Sequence, residues 1–392
     1  MLNDALAGLT VVDFSQGIAG PNCACLLGDL GARVIKIEPP EGDWARGVGA
    51  RYGDSSVTYK CFNRGKLGVM LDLKDARARE AACRLTDAAD VFVESSRPGV
   101  AKRLGIDYGT LKERNPRLIY VSVTGFGQTG PYGNRPATDT ILQALTGFSI
   151  GVAGSGSPMR VRVAVVDVSA GVYAGYAALA AVIRRARTGT GEYLDINLMH
   201  AAAALQGYKI AEDAASGGAR QGELFAGIGI YATQDGYLAL SAIRDAHVVG
   251  LLEAIGRTAL IEEPRFSTLE KRLERQDELR EEIACEIAKQ PTRYWLTVMS
   301  KTDLLYQEVL NYSRFREDPQ AEAVCLFEQV VFDGVGPLPM VRPPGAEDGR
   351  MQAMPSPLLG QHTREVLLEA GVASSDADEL AACAARARAG AT

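Results

Sequence analysis

The sequence predicts an α/β fold: a mostly parallel, helix-covered sheet accompanied by a smaller α+β domain. Three features predict it. Short β-branched runs alternate with helix-like segments over about the first 200 residues. A turn bearing Gly17, Gly20 and Pro21 joins the first run to an apolar helix. Beyond the polar, Gly-rich residues 216–222 the texture changes to a hairpin followed by charged helices.

In order, residues 10–15 (TVVDFS) form the first strand, and the helix after the glycine turn ends at Gly31. Residues 33–38 (RVIKIE) complete a βαβ unit. A helix is expected over 75–88, a strand over 90–94 (DVFVE), a largely helical segment over 100–114 and a strand over 117–124 (RLIYVSVT). Residues 161–166 (VRVAVV) read as another strand feeding a long helix over 168–187, and residues 193–198 lead into a helix ending near Ala215. The resulting division is a large domain over 1–215, a linker over 216–226, a small α+β domain over 227–342, a second linker over 343–356, and a C-terminal return to the large domain over 357–392.

The chain has 392 residues, 47% hydrophobic and 23% charged, enough apolar surface for a sizeable core. Its 42 Lys and Arg against 48 Asp and Glu leave a net charge of −6. That disfavours a nucleic-acid binder with a basic face, while leaving room for a local cationic pocket that holds a phosphorylated ligand. The first ten residues carry no basic stretch and no long apolar run, so no secretory signal is expected. The most apolar stretch, 169–183, falls short of a membrane span and reads as a buried core helix. Seven scattered cysteines, with Cys23 and Cys25 at the wrong spacing for a CxxC site, fit small hydrophobes in a reducing cytoplasm. Neither a metal site nor a membrane role is expected.

Two acids stand out. Asp167 falls where the 161–166 run gives way to the long helix. An N-cap role explains it, and the helix terminus is expected to keep the carboxylate ionised. That place is also where parallel sheets put ligands, and an ionised acid there can attack a carbonyl. Asp139 precedes another apolar helical run and again reads as a cap. His200, His247 and His362 have no metal-ligand spacing and read as structural. Glu38 follows the glycine turn at the distance of a ribose-binding acid, but the GxGxxG pattern of a dinucleotide site is missing.

Taken in order, several strings resemble the class III CoA-transferase family. They are residues 6–14 (LAGLTVVDF), 19–21 (AGP), 26–38 (LLGDLGARVIKIE), 63–66 (NRGK), 97–99 (RPG), 103–105 (RLG), 115–119 (NPRLI), 125–131 (GFGQTGP), Asp167, 188–191 (TGTG) and 357–363 (PLLGQHT). The resemblance implies a Rossmann-like large domain made from both chain ends, with the small domain inserted, in an interlocked homodimer. It implies CoA transfer from an acyl-CoA donor to a small carboxylic acid, with CoA as a substrate and no resident cofactor. Asp167 matches the family's catalytic aspartate, which forms an acyl anhydride and then an aspartyl-CoA thioester. The CoA contacts map onto Ile18, Leu71, Lys74, Ser95, Ser96 and Arg103, and Asp139 becomes a substrate-side polar contact.

The chain departs from the family at Ser95-Ser96, where relatives often carry Asn-Phe, and at Pro39, where they carry Arg. The Gly-rich closing loop of some members has at best a short substitute at residues 225–229. The alternative activity within the resemblance is racemisation of a 2-methylacyl-CoA, which needs a histidine just before Asp139. Thr138 stands there instead.

Overall fold

The computed structural model describes residues 2, 4–153, 156–218, 227–346 and 354–390. The chain divides into two compact units, one of residues 1–207 with 323–392, the other of residues 208–322.

A six-stranded sheet organises the larger unit. Its strands are β1 (Thr10–Asp13), β2 (Arg33–Glu38), β3 (Leu67–Met70), β4 (Val91–Glu94), β5 (Ile119–Thr124) and β6 (Glu192–Asn197). Their order is β3-β2-β1-β4-β5-β6, and each neighbouring pair is parallel. The mixed α/β expectation with a large parallel sheet holds. Such a sheet must be covered on both faces. Along β5, Ile119, Val121 and Val123 enter the core that holds helices α1 (Ala19–Asp29) and α3 (Val165–Thr188). Tyr120, between them, enters the opposite core with Phe92, Val366, Leu367 and Leu380. Helix α2 (Asp139–Leu145) lies between β5 and α3 in the chain.

Two strand assignments change. Residues 161–166 form no strand, because β6 occupies the position beside β5 and α3 already begins at Val165. Val161 instead donates its N–H to Gln143 Oε1 (2.9 Å) and accepts from Gln143 Nε2 (3.2 Å), so one side-chain amide takes the place of a strand neighbour. The sequence reading also passed over β3, four residues with a glycine in the middle. Residues 100–114 are two short helices, Val100–Leu104 and Tyr108–Arg114, divided at the left-handed Gly105 (φ 73°).

Helix α3 is 24 residues long, longer than expected, and by length and composition alone could cross a membrane. One face is buried through Ala170, Gly171, Ala174 and Ala178. A Cβ at Gly171 would lie 2.7 Å from the Ala19 carbonyl, so only glycine permits this approach to α1. The other face leaves Val172, Tyr176 and Ile183 exposed, so the expected core helix is buried on one side only.

The second unit holds a three-stranded antiparallel sheet, β9-β8-β7, of β7 (Gly227–Ala232), β8 (Tyr237–Ala242) and β9 (Leu305–Glu308). Its core includes Leu251, Leu279, Ile283 and Trp295. This unit ends at Glu322, earlier than the expected 342. The hairpin of β10 (Phe327–Phe332) and β11 (Gly336–Val341) belongs to the larger unit, where Met340 Sδ lies 3.8 Å from Cys61 Sγ and Phe332 sits under Lys60. Of the expected linkers, residues 219–226 and 347–353 lie outside the described residues, as do residues 225–226 of the proposed loop substitute. Near the C-terminus, His362 and Thr363 cap the edge strand β3: Gly68 N–H donates to His362 Nδ1 (3.0 Å), and Met70 N–H to Thr363 Oγ1 (3.1 Å).

Candidate active site

A cleft of about 560 Å³ crosses the carboxyl ends of all six strands of the parallel sheet. Leu71 and Lys74 line it beyond β3, Pro39 and Trp44 beyond β2, and Ile18 and Gly20 beyond β1. Ser95 to Arg97 continue it beyond β4, Thr124 and Gly125 at β5, and Leu198 beyond β6. Strand order reverses between β1 and β4, the switch point at which parallel sheets open a crevice.

Asp167 lines this cleft from the first turn of α3. It is the third helical residue, after Val165 and Val166, and so is not the cap expected from the sequence. Asp139 does the capping. Its Oδ2 accepts from Val166 N–H (2.8 Å) and Asp167 N–H (3.3 Å), while Oδ1 accepts from Gln143 Nε2 (2.5 Å). Asp139, expected as a substrate-side contact, is buried at the N-terminus of α3 and is not among the residues lining the cleft. The consequence is electrostatic. Burial, with the Asp139 charge adding to it, pushes the Asp167 carboxyl up to about 7, against the expectation that the helix terminus keeps it ionised.

The turn beyond β1 rests on a buried lattice of charges. Lys36 Nζ lies 2.9 Å from Asp43 Oδ2 and also donates to the Ser15 carbonyl. Lys66 Nζ pairs with Asp13 Oδ2 at 2.7 Å and donates to the Pro21 carbonyl at 2.9 Å. Asp43 Oδ1 accepts the N–H groups of Gly17 and Ala45, both at 2.9 Å. Burial alone would raise Asp13, but the charges of Lys36 and Lys66 outweigh it and hold the carboxyl below its usual range. Glu38 is likewise lowered: burial opposes, but Arg46 grips both its oxygens. Glu38, at the sequence distance of a ribose-binding acid, is thus committed to a structural ion pair with Arg46.

Of the expected CoA contacts, Ile18, Leu71, Lys74, Ser95 and Ser96 line the cleft together with Asp167. Arg103 does not; it is exposed on the short helix beyond Gly99. Ser95 Oγ is engaged by Gln16 N–H (2.9 Å), which ties the β1 and β4 loops together. Arg97, Arg135 and Trp44 line the cleft but were not singled out from the sequence. Arg97 lies within the RPG string already noted, so its place in that string was the available signal. None of the three histidines lines the cleft: His362 serves β3, His200 sits beside Asn197, and His247 is buried in the second unit.

Comparison with known proteins agrees with this architecture. A family model described as CoA-transferase family III matches residues 6–363. The chain is 35% identical to an acetyl-CoA:oxalate CoA-transferase of Acetobacter aceti, covering 81% of this chain and 83% of that one. It is 34% identical to a succinate–glutarate CoA-transferase of Agrobacterium fabrum, covering 93% and 95%. A crystal structure of a CAIB/BAIF family protein from Brucella suis superposes with a TM-score of 0.82 at 31% identity, covering 94% of this chain and 100% of that one.

Proposed function

The chain belongs to CoA-transferase family III, and from that premise we propose that it moves CoA from an acyl-CoA donor to a small carboxylic acid through covalent intermediates on Asp167. The observation that carries the reading is a single one: Asp167 is an acid at the wall of a strand-end cleft, and among the described residues no cation offsets its charge. An acid so placed is a nucleophile rather than a structural ion.

The steps balance without an outside reactant. The Asp167 carboxylate attacks the thioester carbonyl, the C–S bond breaks, and CoA leaves as thiolate. The thiolate attacks the aspartyl carbonyl of the mixed anhydride, and the donor acid departs as carboxylate. The acceptor carboxylate then attacks the aspartyl-CoA thioester and expels thiolate, which attacks the acceptor carbonyl and frees Asp167. Thioester and anhydride are both activated acyl groups, so the acyl activation of the donor is carried through to the product and the exchange needs no outside energy source. The N–H groups of Ala19 and Gly20 open α1 at the cleft and are suited to a developing oxyanion. Lys74 and Arg97 suit the CoA phosphates, and Leu71, Ile18 and Ser96 the pantetheine arm.

The acceptors named for the two relatives, oxalate and glutarate, support a short dicarboxylic acid as the acceptor class. The exposed Val172, Tyr176 and Ile183 of α3, with Ile141 and Leu145 of α2, support a homodimer of the interlocked kind. The seven free cysteines fit a cytoplasmic protein. Racemisation is disfavoured because Thr138 lines the cleft where a histidine base would be needed.

The test is to add an acyl-CoA, quench with hydroxylamine and map the protein by mass spectrometry. A hydroxamate at Asp167 is expected. An adduct at another residue, or none during active turnover, overturns the mechanism.

A further inference from the structure

Trp44 is one of two tryptophans in the chain, and it is 58% exposed although it lines the cleft. Its indole packs against the turn beyond β1. A Cβ built on Gly17 would fall 2.2 Å from the indole Cζ2, and Gly17 has φ +85°, so only glycine lets the ring sit there.

The backbone under the ring is fixed. Asp43 caps the single turn Trp44–Gly47, holds Gly17 N–H, and is itself held by Lys36 and by its own N–H to Glu38 Oε2 (2.9 Å). A short chain of contacts then leads from the ring to the reacting acid. Gly17 precedes Ile18 and the first turn of α1. Asn22 of that helix donates Nδ2 to the Val168 carbonyl (3.0 Å), one residue beyond Asp167. The indole and Asp167 therefore line one cleft, joined through residues 17–22.

We infer that Trp44 is a specificity-determining residue: its indole forms one wall of the acyl pocket and restricts the transferred group to short acyl chains. The inference rests on the transferase reading above. Burial of an exposed indole against a short chain is favourable, whereas a longer chain must displace a ring whose backbone the Asp43 lattice fixes.

The experiment measures kcat/KM for acetyl-, butyryl- and hexanoyl-CoA with one acceptor, in wild type, Trp44→Ala and Trp44→Phe. The alanine variant is expected to raise the hexanoyl-to-acetyl ratio by roughly tenfold or more, as loss of a steric wall predicts. The phenylalanine variant is expected to stay near wild type. The same shift is expected with acyl-pantetheines, which lack the nucleotide.

A readout without turnover comes from tryptophan emission during titration with unreactive S-ethyl- and S-hexyl-CoA thioethers. Trp295 is buried and donates Nε1–H to the Ile287 carbonyl (2.8 Å), so it supplies a constant background, which Trp44→Phe measures. The wild-type signal should change more with the ethyl than with the hexyl probe. Equal changes for all chain lengths overturn the inference, and so does a shift that vanishes with acyl-pantetheines, which would assign the ring to the nucleotide. If wild type exchanges CoA with no acid, the transferase reading itself fails. A working transferase whose chain-length profile ignores Trp44 sinks only this inference.

Discussion

At the carboxyl ends of β1 and β2 the buried acids Asp13, Glu38 and Asp43 each face a cation, whereas at the start of α3 Asp139 and Asp167 have only each other among the described residues. Asp13, Glu38, Asp43 and Asp139 are buried, whereas Asp167 is half-buried at the cleft wall. In the first, Lys36, Lys66 and Arg46 hold Asp13 and Glu38 low against the burial that would raise them. In the second, burial and a like charge leave Asp167 near neutrality. Paired charge makes a rigid support, and unpaired charge makes a reagent. The fold puts the support under the turn that receives the substrate and the reagent opposite it.

The sharpest break of this contrast is Asp167→Asn. Activity should fall by at least about 10⁴-fold, because the nucleophile is gone while the shape is kept. Stability should move the other way. The folded-state value of Asp167 is raised to about 7 above the ordinary 3.8, so wild type loses stability as the pH climbs from about 4 to 7 and carries the full penalty above that. At pH 8 the asparagine variant should therefore be more stable, by on the order of 2–4 kcal/mol at 1.36 kcal/mol per unit. At pH 4 the two should unfold alike. Denaturant unfolding at both pH values and a CoA-exchange assay check this; an active variant would refute it.

Lys36→Met probes the other side. It strands Asp43 without its partner and leaves Asp13 with Lys66 alone. Removing one member of a buried pair costs about 3–5 kcal/mol, read as a lowered urea midpoint. If the variant is as stable as wild type, the lattice is not the support described. Because Asp13 and Glu38 are lowered, wild type should also lose stability as the pH falls below the usual carboxylate range, the reverse of the Asp167 dependence.

The contrast also marks what could be read from residues alone. The alternation of β-branched runs with helices was enough for the parallel sheet, because each strand carries its own apolar pattern. It failed at residues 161–166, since VRVAVV has a strand pattern and only the long-range pairing with Gln143 removes it. β3 was missed because its four residues, LGVM, include a glycine and only one β-branched residue, unlike the TVVD of β1. Asp167 was legible through the resemblance and its place before a long helix. Its raised pKa was not, because it comes first from burial under the tertiary fold and then from the charge of Asp139, 28 residues earlier. Arg46 on Glu38, Asp43 on Gly17 and the ring of Trp44 on that turn are likewise contacts between loops, invisible to any local pattern.

Asp139→Asn sharpens the comparison inside the reactive pair. Asparagine can still accept from Val166 N–H, but its amide would confront the Gln143 amide, so stability should drop by about 1–2 kcal/mol. Removing the negative charge makes Asp167 easier to ionise. In wild type, kcat/KM for the acyl-CoA should rise with pH and level off near 7, since the carboxylate is the nucleophile. In the variant that inflection should move to lower pH. An unmoved inflection would mean that burial alone sets the value.

The smallest expected effect separates two arginines of similar sequence context. Arg97 lines the cleft beyond β4, and Arg103, six residues on, is exposed away from it. A charge-assisted contact to phosphate is lost in Arg97→Ala, which should raise KM for acyl-CoA by roughly tenfold and leave kcat nearly unchanged. Arg103→Ala should change KM by less than about twofold, since a solvated cation at that distance is screened by salt. The Arg97 effect should shrink as the salt concentration rises. If Arg103 proves the stronger of the two, the nucleotide end of the ligand leaves the cleft along the short helix after Gly99 rather than beside Lys74, and the phosphate assignment moves with it.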